Sequence, residues 1–369
     1  MSFFKSIVAQ IKLILGLKDK INSFSMTKKY YWIFFTIFFL QIAKQGFCQI
    51  GGNGSFSFLN IPSNPIQLAL GGVNVSRSEK DVNVLFQNPA LLDSSLHNLL
   101  AVNYTPYFSG INYATAAYAR KFKENIIALG VQSINYGNFQ LTDASGNILG
   151  QFAANDVAMT LSSSRTQGNI TFGGSLKFAS SVIESYSAVA LLMDFGAIFK
   201  HPTQALTLGL TVKNVGVTLK SYTPFDKTDL PFDVQAGISF KPKYMPVRFS
   251  FTAHHLYQYD ISYLDKSIIK KDLNGNVIEN KISPVDNFAR HFVIGAELLL
   301  SKNFHALIGY NHLRSAELSQ QNVSGFSGFS LGFLIHTKLF NFSYGYSGYN
   351  TAGNLNSFGL VCDLNRIIK

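Results

Sequence analysis

His254 and His255 are the only adjacent histidines in the chain, and imidazole nitrogens are common ligands for transition metals. Their setting argues against a shared ion. Val247, Phe249, Phe251 and Ala253 alternate with Arg248, Ser250, Thr252 and His254, so neighbours in this run point to opposite faces of a strand. His291, His305, His312 and His336 are scattered and read as lumen, loop or rim residues. Asp272, Asn274 and Asn276 imitate the start of a calcium loop, but Val277 stands where glycine is required and Ser283 where glutamate is required. Gly173-Gly174 suits the relief of crowding in a curved strand better than phosphate binding. No G-x-S-x-G elbow, Walker loop or HExxH helix occurs, and no carboxylate pair stands apart from the rest. The expectation is a non-catalytic protein with no metal and no cofactor.

The elements around these residues are strands of one kind. In FDVQAGISFK, Phe232, Val234, Ala236, Ile238 and Phe240 alternate without a slip against Asp233, Gln235, Gly237, Ser239 and Lys241. Leu206, Leu208, Leu210 and Val212 oppose Thr207, Gly209, Thr211 and Lys213 in the same way, and Phe340, Phe342, Tyr344 and Tyr346 oppose Asn341, Ser343, Gly345 and Ser347. Segments of about ten residues with this alternation suit a tilted strand that crosses a bilayer. Composition agrees. Charged residues are 14% of the chain, well under the roughly 25% usual for soluble domains, while there are 33 phenylalanines and 17 tyrosines.

From Asn98 onward fourteen runs read as strands: 98–106, 110–121, 125–137, 152–165, 170–183, 187–200, 205–216, 232–242, 247–258, 287–301, 304–314, 328–337, 339–350 and 355–364. Long gaps follow only odd-numbered runs, whereas HPTQ at 201–204, KN at 302–303 and Lys338 are short turns after even ones. Outer-membrane barrels sort their connections in this way, with short periplasmic turns and longer external loops. The fold expected is therefore all-β, a transmembrane 14-stranded antiparallel β-barrel over 98–369. Two of its loops, Asp143 to Leu149 and Asp272 to Ile278, share a D-x-x-G-N pattern before two aliphatics, which suggests hairpins projecting beyond the membrane.

The N-terminal part is different in kind. Lys28-Lys29, the apolar run from Tyr30 to Leu40 and Gly46-Phe47-Cys48 have the layout of a signal peptide cut before Gln49, with Met26 the better start and 1–25 upstream sequence. If Cys48 leaves with that peptide, Cys362 has no intrachain partner. Seven lysines and one aspartate lie in 1–48, so the net charge of +11 falls to +5 without them, and nucleic-acid binding gains little support. Residues 49–97 are broken by glycines and prolines yet carry Phe56, Phe58, Leu59 and Ile61, with one helical turn expected over Pro65 to Leu70. That makes them a plug, inside or beneath the barrel.

Within this plug, Phe56-Ser57-Phe58-Leu59-Asn60-Ile61-Pro62, Leu70-Gly71-Gly72-Val73-Asn74-Val75, Asn83 and Asn88-Pro89-Ala90-Leu91-Leu92 follow one another in order. The set resembles the start of the PorQ family of the Bacteroidetes type IX secretion system, in a wider FadL-like group that includes PorV and the FadL fatty-acid transporters. The resemblance implies a fourteen-stranded barrel with an N-terminal plug, in which Asn88, Pro89 and Ala90 match a shared plug element. It also implies Sec-dependent export to the outer membrane, contact with outer-membrane lipids and lipopolysaccharide, and a scaffold role. That role is to hold the surface protein PorZ in an attachment complex with PorV and the sortase PorU. The alternative is a FadL-like channel for hydrophobic small molecules. For a partner, the longest connection offers an apolar set, Tyr259, Ile261, Tyr263, Leu264, Ile268 and Ile269, of the kind that cores an interface.

Overall fold

The computed structural model describes residues 55–78, 80–223, 229–262, 270–271, 277–278, 283–318, 326–350 and 353–367. The chain divides into two compact units, 1–49 and 50–369. The first lies outside the described residues, and the signal-peptide reading lies there with it.

Fourteen antiparallel strands close on themselves. They are β1 (Leu99–Pro106), β2 (Asn112–Phe122), β3 (Asn125–Thr142), β4 (Ile148–Gln167), β5 (Ile170–Ile183), β6 (Tyr186–Lys200), β7 (Ala205–Lys220), β8 (Asp233–Lys241) and β9 (Val247–Ala253). A two-residue ladder apart from the barrel follows, β10 (Lys270–Lys271) with β11 (Val277–Ile278), and then β12 (Phe292–Leu298), β13 (Phe304–Asn311), β14 (Phe329–His336), β15 (Phe340–Asn350) and β16 (Gly353–Asp363). Closure is made by β1 pairing with β16, Leu99 opposite Asp363 and Tyr104 opposite Phe358. Full closure leaves no strand edge with unpaired backbone groups, which a lipid environment requires.

The faces are inverted relative to a soluble protein. In β8, Asp233, Gln235 and Ser239 are 3%, 6% and 4% exposed, whereas Ile238 and Phe240 are each 38% exposed. Thr211 and Lys213 are likewise buried while Leu208 and Leu210 face out, and Ser250 and Thr252 are buried while Phe249 and Phe251 face out. Aromatic clusters ring the outer surface near both ends. Phe251 stacks on Phe292 at 4.8 Å and Tyr310 meets Phe329 at 4.8 Å toward one end, and Phe304 meets Phe333 at 6.2 Å toward the other. An apolar band between aromatic girdles is the exterior that a bilayer solvates. No described helix is long and apolar enough to cross a membrane.

Connections after even barrel strands are short, at 123–124, 168–169, 201–204, 242–246, 299–303 and 337–339; the long ones, 221–232, 254–291 and 312–328, all follow odd strands in barrel order. Several boundaries differ from the sequence expectation. β3 and β4 run on to a tight hairpin at 143–147, where Asp143 Oδ1 accepts from Ser145 N and Asn147 N. The ninth run stops at Ala253 rather than continuing to 258. The tenth starts at Phe292 rather than 287 because Pro284–Arg290 forms a helix with proline in its first turn, where the missing N–H costs nothing.

Candidate functional site

The inside of the barrel is occupied by residues 55–97. The stretch is short-range structure throughout: 3-10 turns at Ser57–Asn60, Val82–Phe86, Pro89–Leu91 and Ser94–Leu96, and one helix, α1 (Pro65–Ala69). Asn64 caps α1, its side chain accepting from Gln67 N at 2.7 Å, with Pro65 next in line. Most side chains here are buried, including Phe56, Phe58, Leu68, Leu85, Leu91 and Leu92.

The wall makes room by presenting glycines inward. A Cβ on Gly173 of β5 would sit 2.4 Å from Ala90 N and from Pro89 C; one on Gly309 of β13 would sit 2.3 Å from Gly71 N, and one on Gly345 of β15 2.3 Å from Pro65 O. Backbone thus touches backbone at several heights and on several sides. Gly173 therefore relieves crowding, but against the N-terminal segment rather than through strand curvature. Gly71 and Gly72 adopt φ of 94° and 93°, a conformation that side chains disfavour, as the segment turns beside β13.

Asn88, Pro89 and Ala90 lie at this contact. Asn88 Oδ1 accepts from Ala90 N at 3.0 Å, and Asn88 Nδ2 donates to Val75 O at 3.1 Å and Leu210 O at 3.3 Å. One amide thus caps its own turn, ties two parts of the segment together and reaches the β7 backbone. All three residues are buried between β5 and β6.

Charge adds a second set of ties. Arg77 meets Glu297 of β12 in a fork, Nε to Oε2 at 3.1 Å and Nη2 to Oε1 at 3.0 Å, with both side chains 5% exposed or less. Arg248 Nη1 and His305 Nδ1 also reach Glu297, at 2.7 and 3.0 Å. Removing one partner of a buried pair costs about 3–5 kcal/mol where the other charge is left uncompensated; without Arg77, Glu297 would still face Arg248 and His305. Further ties are Ser76 Oγ to Ser239 Oγ at 2.8 Å, Asn311 Nδ2 to Gly71 O at 3.0 Å and Lys200 Nζ to Asp93 Oδ2 at 2.8 Å. Within the wall, Lys177 Nζ pairs with Asp194 Oδ2 at 2.6 Å beside Asn214. Asn214 sits at φ 59° and its N–H goes to Asp194 Oδ1, where the β6–β7 register shifts.

Among the described residues, cavities open toward both mouths, one beside the long connections and several beside the short turns. The first, about 310 Å³, is lined by Lys213, Asp233, His254, His255, Arg314 and Glu317 on the side of the long connections. One of the others, about 600 Å³, is lined by Asp93, Lys121, Ser164, Thr171 and Lys200 on the side of the short turns.

The structure corrects the reading of the histidine pair. His254 Nδ1 and His255 Nδ1 are in direct contact, and one ring nitrogen of each imidazole lies within 4.8 Å of an Asp233 carboxylate oxygen. Strand alternation cannot separate them because β9 has already ended, and His255 takes a left-handed φ of 54° that turns its ring back to the same side.

Of the apolar set in the longest connection, Tyr259 is exposed, and its carbonyl accepts from Asn287 Nδ2 at 3.1 Å and lies 3.0 Å from His291 Nε2. Ile261 is buried rather than exposed, so it packs the root of the connection and leaves less apolar surface to water. Tyr263, Leu264, Ile268 and Ile269 lie outside the described residues. The sequence reading missed Arg77, Glu297 and Asp194. The available signal was a lone acid at an inward position of an otherwise apolar strand, since a buried charge demands a partner. That partner is 220 residues away for Glu297, and no local pattern marks it.

Neither a protein-family model nor a curated protein sequence matches the chain. Among solved structures it is similar to the Pseudomonas putida toluene transporter TodX, with a TM-score of 0.49 and 10% identity over 82% of this chain and 96% of that one. It is also similar to the TodX monoaromatic hydrocarbon channel deltaS2 mutant (TM-score 0.49, 12% identity, 82% and 98% covered) and to a Pseudomonas aeruginosa FadL homologue (0.44, 11%, 82% and 98%). Likeness at this level carries no argument about cargo. The architecture stands on the chain's own strands: a closed, lipid-facing β-barrel whose lumen is filled from the N-terminal side.

Proposed function

We propose that the chain is an outer-membrane channel for small molecules, plugged in this conformation by residues 55–97. The observation that supports the reading is a segment seated in the lumen through backbone contacts and a few ion pairs, with a cavity left at each mouth. Passage requires that segment to shift or to open a path along the wall. The FadL resemblance makes hydrophobic molecules the first cargo to test. The cavity beside the long connections sets Lys213, Arg314, Asp233 and Glu317 beside apolar Leu313, Leu318 and Val73, which favours an amphiphile with a polar head over a plain hydrocarbon. Uptake of a labelled fatty acid and of toluene is compared in cells that express the chain and in cells that lack it. Faster entry of either supports the channel; equal rates for both, with the barrel present in the outer membrane, count against it.

A second reading, the type IX attachment scaffold that holds PorZ with PorU and PorV, is favoured by one surface feature. Tyr259, Val285 and Phe288 are exposed on the side of the long connections, 64%, 76% and 56% respectively, where a surface partner would meet them. Co-purification of a large surface protein from native membranes supports it, and its loss on replacing 262–283 by a Gly-Ser linker assigns the contact to that connection.

A further inference from the structure

We propose that Asp233, His254 and His255 form a binding site for one divalent transition-metal ion of the zinc type, at the mouth of the lumen cavity on the side of the long connections. Nothing in the channel or scaffold reading requires it. The three residues come from two strand ends and converge: one ring nitrogen of each imidazole and a carboxylate oxygen of Asp233 all lie within 4.8 Å of one another. An ion held by nitrogen and oxygen at about 2.0–2.2 Å needs ligand atoms about 3–4.3 Å apart, so the two imidazoles must part slightly and the Asp233 side chain turn to complete the set. Two imidazoles and a carboxylate suit zinc, nickel or copper rather than calcium or magnesium, which prefer oxygen.

Three further features fit a site rather than a chance encounter. His254 is 2% exposed, and its Nε2 has no hydrogen-bond partner among the described residues, a buried polar atom whose cost a bound ligand would remove. Asp233 is oriented by two donors, His255 N to Oδ1 at 2.7 Å and Gln235 Nε2 to Oδ2 at 2.6 Å. Bonds of this kind fix a ligating carboxylate from outside the metal. His255 adopts its left-handed backbone to bring its ring to this side, a conformation uncommon outside glycine, asparagine, aspartate and histidine. Of the nearby cations, Arg314 is engaged elsewhere, with Nη1 donating to Ser347 Oγ at 2.9 Å and its guanidinium over the Tyr349 ring at 4.8 Å. Buried Lys213, by contrast, stands opposite Asp233 in the β7–β8 register, so an ion there competes with its ammonium. All three residues line the cavity, so positions that they leave open on an ion would be available to water or to a donor group of a bound molecule. A metal here would also pin the end of β9 to the start of β8, at the root of the longest connection.

The test uses the full-length barrel in detergent, purified without a histidine tag and stripped with chelator. Zn²⁺ is titrated by calorimetry and Co²⁺ by its ligand-field absorption. One ion per chain is expected, and His255→Ala and Asp233→Asn should each weaken it by at least the about 10- to 100-fold that outer-shell losses already cost. His336→Ala, toward the opposite mouth, should leave it unchanged. A heat-dependent shift in gel mobility establishes that each variant is folded, and Asp233→Asn preserves the side chain's shape. Absence of a stoichiometric ion in the wild type overturns the site, as does equal affinity in folded His255→Ala and Asp233→Asn. The readout is binding alone, so a failed uptake assay leaves it untouched.

Discussion

At the scale of single residues, the wall of this barrel is shaped by what it must admit. Gly173 and Gly174 are neighbours with opposite duties. A methyl on the first runs into the backbone of Pro89 and Ala90 at 2.4 Å, and a methyl on the second finds its nearest atom at 3.8 Å. Gly173→Ala should therefore destabilise the folded barrel by about 1–3 kcal/mol, since backbone cannot swing aside as a side-chain tip can. Gly174→Ala should stay within about 0.5 kcal/mol of wild type. Denaturant midpoints of the heat-modifiable band distinguish the two, and equal midpoints would mean that the segment is not seated against β5. The glycine pair was visible in the sequence, but the identity of what crowds it was not, because the two surfaces are about eighty residues apart, a separation over which no periodicity speaks.

At the scale of elements, the long connections are organised by two short helices beside the mouth, α2 (Pro284–Arg290) and α3 (His312–Leu318). Asp286 joins them, taking a hydrogen bond from His312 Nε2 at 2.8 Å and one from Arg290 Nε at 3.0 Å. The bond from His312 outweighs desolvation and, with Arg290, holds the Asp286 carboxyl below its ordinary 3.8. A group with a depressed folded pKa stabilises fully above its unfolded value and loses that contribution as pH falls through the folded one. The α2–α3 contact should thus keep its carboxylate contribution above pH 3.8 and loosen only below it, seen as faster hydrogen exchange over 284–318. Asp286→Asn should abolish that acid-dependent change; an unchanged acid response would assign it to another group. These helices were not legible. The strands around them announce themselves by alternation and by the gaps between them, but a seven-residue helix at a strand end carries too few residues to show a period. The same limit hid the histidine site, since alternation was extended five residues past the point where β9 stops.

At the scale of the whole molecule, polar residues inside and apolar residues outside make sense only with lipid as the outer solvent. Phe358 and Leu360 face out along β16 and Cys362 continues their row, paired beside Phe340. A polar maleimide should label Cys362 slowly in the folded barrel and rapidly after denaturation; fast labelling of the folded form would place it on the other face. Protease added to intact cells should cut within 259–286 and spare 201–204 and Lys338, because the long connections gather at one end. The central claim is that this barrel is a conduit closed by its own N-terminal segment, held in part by the Arg77–Glu297 fork. Current recorded across a planar bilayer tests it most directly, with wild type compared to Arg77→Ala. The account predicts a wild type that is closed for most of the record and an Arg77→Ala barrel that opens frequently. A folded Arg77→Ala barrel as silent as the wild type, or a wild type that conducts steadily, would contradict it.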